Sequence, residues 1–413
     1  MTAENPLRQA EIWRYGALGL PLAFAALPIY VHVPRLYADA AGLDLALLGG
    51  LLLLARLFDA GIDPLLGWLA DRMSRLHLMA GSLLPLAVGF AALMHPPSQY
   101  AGWWLLFSLA LTFLGFSALS VAYLAWGADL GRDAGERTRL TAVREGMGLV
   151  GVVFAASLPS LLAPGLADGL ARLVWIFLPL LAIASLLSLS LRQAPQIQTG
   201  PRETLPTALR LALSDPAFSR LLAVYVTNGI AAALPATLVL FFVADVLQAE
   251  KWSGAFLALY FMAGVAGVPL WVRLAARIGR LRAWLAGILV AVIAFAGTAA
   301  LGAGDSAAFI VVCIATGLAL GADLVLPTAM AADLGERQGR AGICFGLWNF
   351  VSKLNLALAA GLALPLLDWL GYVPGGSGNL LALSLVYAGL PLLFKLLAAV
   401  LLWVWRDQLE SLQ

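Results

Sequence analysis

Long apolar stretches alternate with short polar breaks along this sequence. Segments long enough to cross about 30 Å of hydrocarbon at about 1.5 Å per residue lie near 14–34, 45–70, 77–95, 101–128, 143–164 and 172–191. Six more lie near 219–246, 253–275, 282–303, 307–332, 342–368 and 380–405. Lipid offers the backbone no hydrogen bonds, so each stretch predicts a membrane-spanning α-helix. The break from Gln193 to Ser219 is rich in Pro and polar residues and holds one short amphipathic piece, Thr207 to Leu213, suited to a membrane interface. The pattern predicts an all-α membrane protein of twelve transmembrane helices: a six-helix half over residues 1–192, a cytoplasmic linker over 193–218 and a second six-helix half over 219–413.

Composition excludes a soluble fold. Of 413 residues, 62% are hydrophobic and 12% charged, with a mean hydropathy of +0.91; soluble domains carry about a quarter charged residues. A net charge of +2 leaves no electrostatic footprint for nucleic acid. Cys313 and Cys344 lie in or beside apolar runs and read as packing thiols. With the N-terminus inside, 19 of the 25 Lys and Arg fall in cytoplasmic loops. Arg35, Arg172 and Lys251 fall outside, and Arg56, Lys353 and Lys395 fall within spans. Both termini are therefore expected to be cytoplasmic, in an inner membrane. No small-residue cleavage site follows the first apolar run, which is expected to be a retained span.

The halves echo one another. Pro64-Leu65 matches Pro269-Leu270, and the match continues through Leu69/Leu274, Ala70/Ala275, Arg72/Arg277 and Arg75/Arg280. Ala128-Asp129-Leu130-Gly131 matches Ala332-Asp333-Leu334-Gly335 at nearly the same offset. Two matches at helix ends imply pseudo-symmetric six-helix halves, the architecture of the major facilitator superfamily, with substrate bound between them near the midplane.

The repeat fails at the charges. Arg56, Asp59 and Asp63 align with Phe261, Gly264 and Val268, so the shared scaffold does not require them. They share one helical face, with the acids one turn apart. Each charged Asp costs about 2.5–3.5 kcal/mol at mid-membrane, so the pair calls for a cation, a proton or a basic partner. One reading is a structural ion pair with Arg56 and Lys353; the other is a site for Na+ or H+. Lys353 lies too deep to reach water, whereas Lys395, nearer a span end, can snorkel. Asp323 and His32 are further intramembrane candidates. Arg144 and Glu145 open the fifth span, and Asp71, Arg72 and Arg75 suit a latch between helix ends.

Three stretches resemble the glycoside-pentoside-hexuronide cation symporter family, that of the melibiose permeases. They are Ala55 to Gly67; Tyr123 to Leu130 with Glu136 to Leu140 and Arg144; and Phe345 to Lys353. The resemblance implies cation-coupled symport of a small organic solute, a sugar or glycoside, by alternating access. It makes Asp59 and Asp63 the paired cation-site acids, which would be metal ligands if the ion is Na+, with Ser117 and Ser120 beside them. Arg144, Tyr123, Trp348 and Asn349 would line the substrate cavity, and Arg56 and Lys353 would couple the two sites. The implied protein is monomeric and lipid-embedded, has no cofactor and uses Na+ or H+ as coupling ion. Pro21 and Ser120 stand where that family carries sugar-binding acids, and Ile62 replaces a polar residue between the two cation-site acids. An amphipathic, lipid-like substrate carried by a flippase-like protein is thus the alternative; a membrane-embedded enzyme ranks below both, as only three His are present.

Overall fold

A computed structural model describes residues 7–39, 45–97, 99–191, 203–373 and 379–410. Residues 193–202 of the expected linker lie outside the described residues. The chain folds as helices α1 (Gln9–Tyr37), α2 (Leu45–Ala70), α3 (Arg75–Leu93), α4 (Ala101–Leu130), α5 (Ala134–Leu162) and α6 (Leu166–Leu189). A short helix α7 (Leu205–Ser214) precedes α8 (Pro216–Val246), α9 (Glu250–Ile278), α10 (Arg280–Thr298), α11 (Ser306–Arg337), α12 (Ala341–Trp369) and α13 (Leu380–Val404). Among the described residues, eleven helices are long and apolar enough to cross a membrane. The charged helix α2, at 26 residues or about 39 Å, completes the predicted twelve.

Local chemistry sets several boundaries. The Asp133 side chain accepts the Glu136 N–H at 2.7 Å and caps α5. This cap starts α5 well before the predicted span, so Arg144 and Glu145 lie inside the helix rather than at its opening. Asp215 caps α8 through the N–H groups of Ala217 and Phe218, and Pro216 occupies the first turn, where no N–H is needed.

Two compact units form. The first comprises Met1–Ala212 with Ala332–Phe350, and so takes in the end of α11 and the start of α12. Its core includes Phe24, Phe90 and Phe177, with Phe177 stacked on Phe24 at 6.2 Å and tilted against Phe90 at 4.3 Å. Glycines set the closest crossings: a side chain at Gly115 would meet the Leu86 backbone, and one at Gly151 the Leu20 backbone. The second unit, Leu213–Ala331 with Val351–Gln413, has a core around Phe242, Phe256, Phe309 and Tyr387.

Candidate functional site

The first unit gathers a polar cluster around α2. Asp59 is 2% exposed and Asp63 is fully buried. Ser117 of α4 donates its hydroxyl to Asp59 Oδ1 at 2.8 Å. Tyr30 of α1 also hydrogen-bonds Asp59, and the Arg56 guanidinium lies 5.4 Å from the Tyr30 ring centre. Three elements thus converge on one carboxylate, with a second acid one turn along α2. Tyr30 was not singled out from the sequence, because an aromatic residue in an apolar helix carries no local mark of polar duty.

Asp63 is buried because α2 crosses the first turns of α12 almost backbone to backbone. Gly67, Gly342 and Gly346 face one another there, and a side chain on Gly346 would collide with the Asp63 carbonyl. The same crossing aligns Asn349 with α4, where its amide donates to the Ser120 hydroxyl at 3.1 Å. Trp348 beside it is buried. Lys353, one turn beyond Asn349 on α12, belongs to the second unit.

Arg144 and Tyr123 form a separate cluster. Arg144 pairs with Glu145, and the Tyr15 and Tyr123 phenols face it electrostatically. Tyr15 and Tyr123 clasp α1 to α4 reciprocally: the Tyr15 hydroxyl donates to the Tyr123 carbonyl at 3.2 Å, and the Tyr123 hydroxyl donates to the Tyr15 carbonyl. Tyr123 is thereby committed to helix packing as well as to this cluster.

Beyond the spans, the expected latch is present. Asp71 accepts the N–H groups of Gly342 and Ile343 at 2.6 and 2.8 Å, which are orphan donors at the α12 N-terminus. Arg75 pairs with Asp71 at 3.5 Å and with Asp129. Burial pushes the Asp71 carboxyl up to about 6, against the opposing pull of Arg75 and the two N–H groups. Arg137 bridges Asp333 at 2.9 Å and Glu336 at 3.1 Å, so both copies of the Ala-Asp-Leu-Gly repeat hold an arginine. Glu203 went unnoticed in the sequence: its carboxylate takes Arg340 at 2.7 Å, and its carbonyl takes the Trp68 indole at 2.9 Å and Arg72. The Glu203 carboxylate also holds the Arg340 guanidinium above its ordinary range. A lone Glu at the edge of a polar linker gave no sign of this role.

Lys395 departs from expectation. It does not snorkel: it is 2% exposed and bonds Asp323 and Asn228 in the second unit. Among the described residues, no three His, Cys, Asp or Glu side chains converge as a metal cluster. Two carboxylates with a hydroxyl offer the hard oxygen atoms that a cation or a proton takes.

Known proteins resemble this chain at two levels. A segment is 30% identical over 168 residues to an uncharacterized symporter of Synechocystis sp., covering 37% of this chain and 31% of that protein. Another is 25% identical over 162 residues to an uncharacterized symporter of Bacillus subtilis, covering 37% and 34%. The matched segments span about a third of those relatives. In fold, the chain is similar to a bacterial homologue of the iron transporter ferroportin solved in an outward-facing state, with TM-score 0.75, 16% identity and coverage of 97% and 100%. It is also similar to the fucose:proton symporter FucP in its outward conformation, with TM-score 0.76, 13% identity and coverage of 95% and 98%. Both are membrane transporters of the same multi-helix fold. The family of MFS/sugar transport proteins matches residues 13–406, nearly the whole chain, and the chain belongs to that family of multi-pass membrane proteins.

Proposed function

We propose that this chain is a secondary transporter of the glycoside-pentoside-hexuronide cation symporter branch, carrying a small organic solute together with Na+ or H+. The observation that carries this reading is the convergence of Ser117 and Tyr30 on Asp59, with Asp63 one turn away, all in a helix whose repeat partner is apolar. Buried acids are costly in a low-dielectric medium, and a bound cation or proton offsets that cost. Lys353 and Arg56 would couple cation occupancy to the substrate cavity, and Arg144, Trp348 and Asn349 would meet the solute. The protein would act as a monomer in the cytoplasmic membrane with both termini inside, and its coupling ion would stand in for any cofactor.

One observation favours an amphipathic substrate over a sugar. Ser120 and Tyr123 are engaged by Asn349 and Tyr15, which reduces the number of hydroxyls available to a polyol.

The test uses Na+ itself. Ligand binding stabilises the folded state by about 2.7 kcal/mol at a hundred times Kd, so Na+ is expected to raise the melting temperature of the purified chain. Asp59→Asn combined with Asp63→Asn is expected to abolish the rise. If neither Na+ nor acidification stabilises the wild type, or if the double variant keeps the full response, the cation site is elsewhere. Uptake of a solute panel into proteoliposomes, with and without a Na+ gradient, then separates sugars from lipid-like substrates.

A further inference from the structure

The turn between α9 and α10 carries positive charge that the transport reading does not use. Arg273, Arg277, Arg280 and Arg282 fall within ten consecutive positions, and no Asp or Glu occurs between Glu250 and Asp305. Arg273 and Arg277 are exposed one turn apart on the same face of α9, where like charges repel. Among the described residues, no carboxylate pairs with either of them. Membrane topology explains arginines at a span end, but not a cluster of them without acids.

The internal repeat sharpens the contrast. It runs without a gap from Pro64 to Arg75 and from Pro269 to Arg280, so Arg72 and Arg75 correspond to Arg277 and Arg280. The folded chain keeps this register: α3 and α10 begin at the matched Arg75 and Arg280 and end at the matched Leu93 and Thr298. In the first half the turn holds its own counter-charge, because Asp71 pairs with Arg75 at 3.5 Å. The second half has Ala276 in place of Asp71, and it carries Arg273 and Arg282 where the first half has Trp68 and His77. Arg280 and Arg282 stand in the first turn of α10, where the helix dipole adds to their charge rather than offsetting it.

An apolar track leads to these arginines. On α9, Ala258, Met262, Ala266 and Leu270 are exposed at four-residue spacing, on the side of the helix that also bears Arg273 and Arg277. Met262 and Leu270 are 53% and 50% exposed. The opposite side is buried and committed to packing: a side chain on Gly267 would meet the Leu318 backbone of α11, and the Trp271 indole donates to the Leu318 carbonyl at 2.7 Å. α9 is thus held along one face and leaves on the other an apolar strip that ends in two guanidinium groups. A phospholipid has the matching layout, with apolar chains below a phosphate.

We propose that Arg273 and Arg277 form a head-group site for an anionic phospholipid, whose acyl chains lie along Leu270, Ala266 and Met262. A guanidinium presents a fork of N–H donors that fits two phosphate oxygens, and basic clusters at membrane-helix ends attract anionic lipid. A zwitterionic choline lipid brings its own cation to this positive surface and gains less from it. The site stands apart from the transport reading, since it involves neither α2 nor a coupling ion.

The test titrates dioleoyl phosphatidylglycerol into the delipidated full chain in detergent and reads the melting temperature, with dioleoyl phosphatidylcholine and inorganic phosphate as comparisons. Phosphatidylglycerol is expected to raise the melting temperature saturably, and the other two are expected not to. Each arginine near an anionic lipid surface strengthens binding about fivefold. Arg277→Gln is therefore expected to weaken the apparent affinity about fivefold, and Arg273→Gln/Arg277→Gln about thirtyfold; the single variant serves if the double one fails to fold. Arg139→Gln, which removes an exposed arginine of α5 outside the patch, is expected to bind as the wild type does. Equal responses to the two lipids or equal stabilisation by inorganic phosphate overturns the proposal. So does an affinity unchanged in the glutamine variants, or an equal loss in Arg139→Gln. The Asp59→Asn/Asp63→Asn variant is expected to keep the full phosphatidylglycerol response, so failure of the α2 cation site and failure of this lipid site are read separately.

Discussion

Asp59 shows how much chemistry one position can concentrate. It is buried, shares a helical face with a second acid, and receives hydrogen bonds from two other helices. Of these features, the shared face follows from residue spacing, whereas the identity of the donors does not. Ser117 was named through a family resemblance, and its hydroxyl donates to Asp59 Oδ1 at 2.8 Å. A hydrogen bond to a charged group contributes about 1.5–3 kcal/mol, so Ser117→Ala is expected to weaken cation binding by about tenfold or more, read as a right-shifted Na+ or H+ titration of thermal stability. An unshifted titration would place Ser117 outside the cation shell.

At the scale of elements, the site exists because helices approach closely enough for short side chains to meet. α3 and α4 touch at Gly115, where any side chain would enter the Leu86 backbone. Overpacking of this kind costs about 1–3 kcal/mol. Gly115→Val is therefore expected to lower the melting temperature by several degrees, while Gly146→Ala, facing open space, is expected to hold or raise it because Ala is the better helix former. Equal effects would mean that helix propensity, not contact, governs these positions. The start of α5 makes a related point: a hydropathy reading begins the span where polar residues end, but Asp133 caps the helix earlier and carries Arg144 inside it.

At the scale of the whole molecule, the first unit is discontinuous in sequence: it recruits Ala332–Phe350 through Asp71, Arg137 and Glu203. Asp71 makes this recruitment pH-dependent. Its pKa, raised to about 6 by burial, means that the folded chain holds this proton more tightly than the unfolded chain, which releases it near about 4. The stabilising contribution is full below about pH 4, is lost as pH climbs through about 6, and amounts to about 3 kcal/mol at most. The difference in unfolding free energy between wild type and Asp71→Asn is expected to follow that slope in detergent. A difference independent of pH would mean that Asp71 titrates normally in the folded state.

Hydropathy is local and additive, so the twelve spans, the repeat and the charges on α2 were all legible in the residues themselves. Partner choice is neither. Tyr30 meets Asp59 only because α1 and α2 pack at one register, Glu203 meets Arg340 only across 137 positions of chain, and Lys395 is buried only because Asp323 and Asn228 reach it from other helices. Apolar segments tell the chain where to cross the membrane. Which side chains then touch depends on helix rotation and on the small residues that let helices close, and those were decided by the tertiary structure.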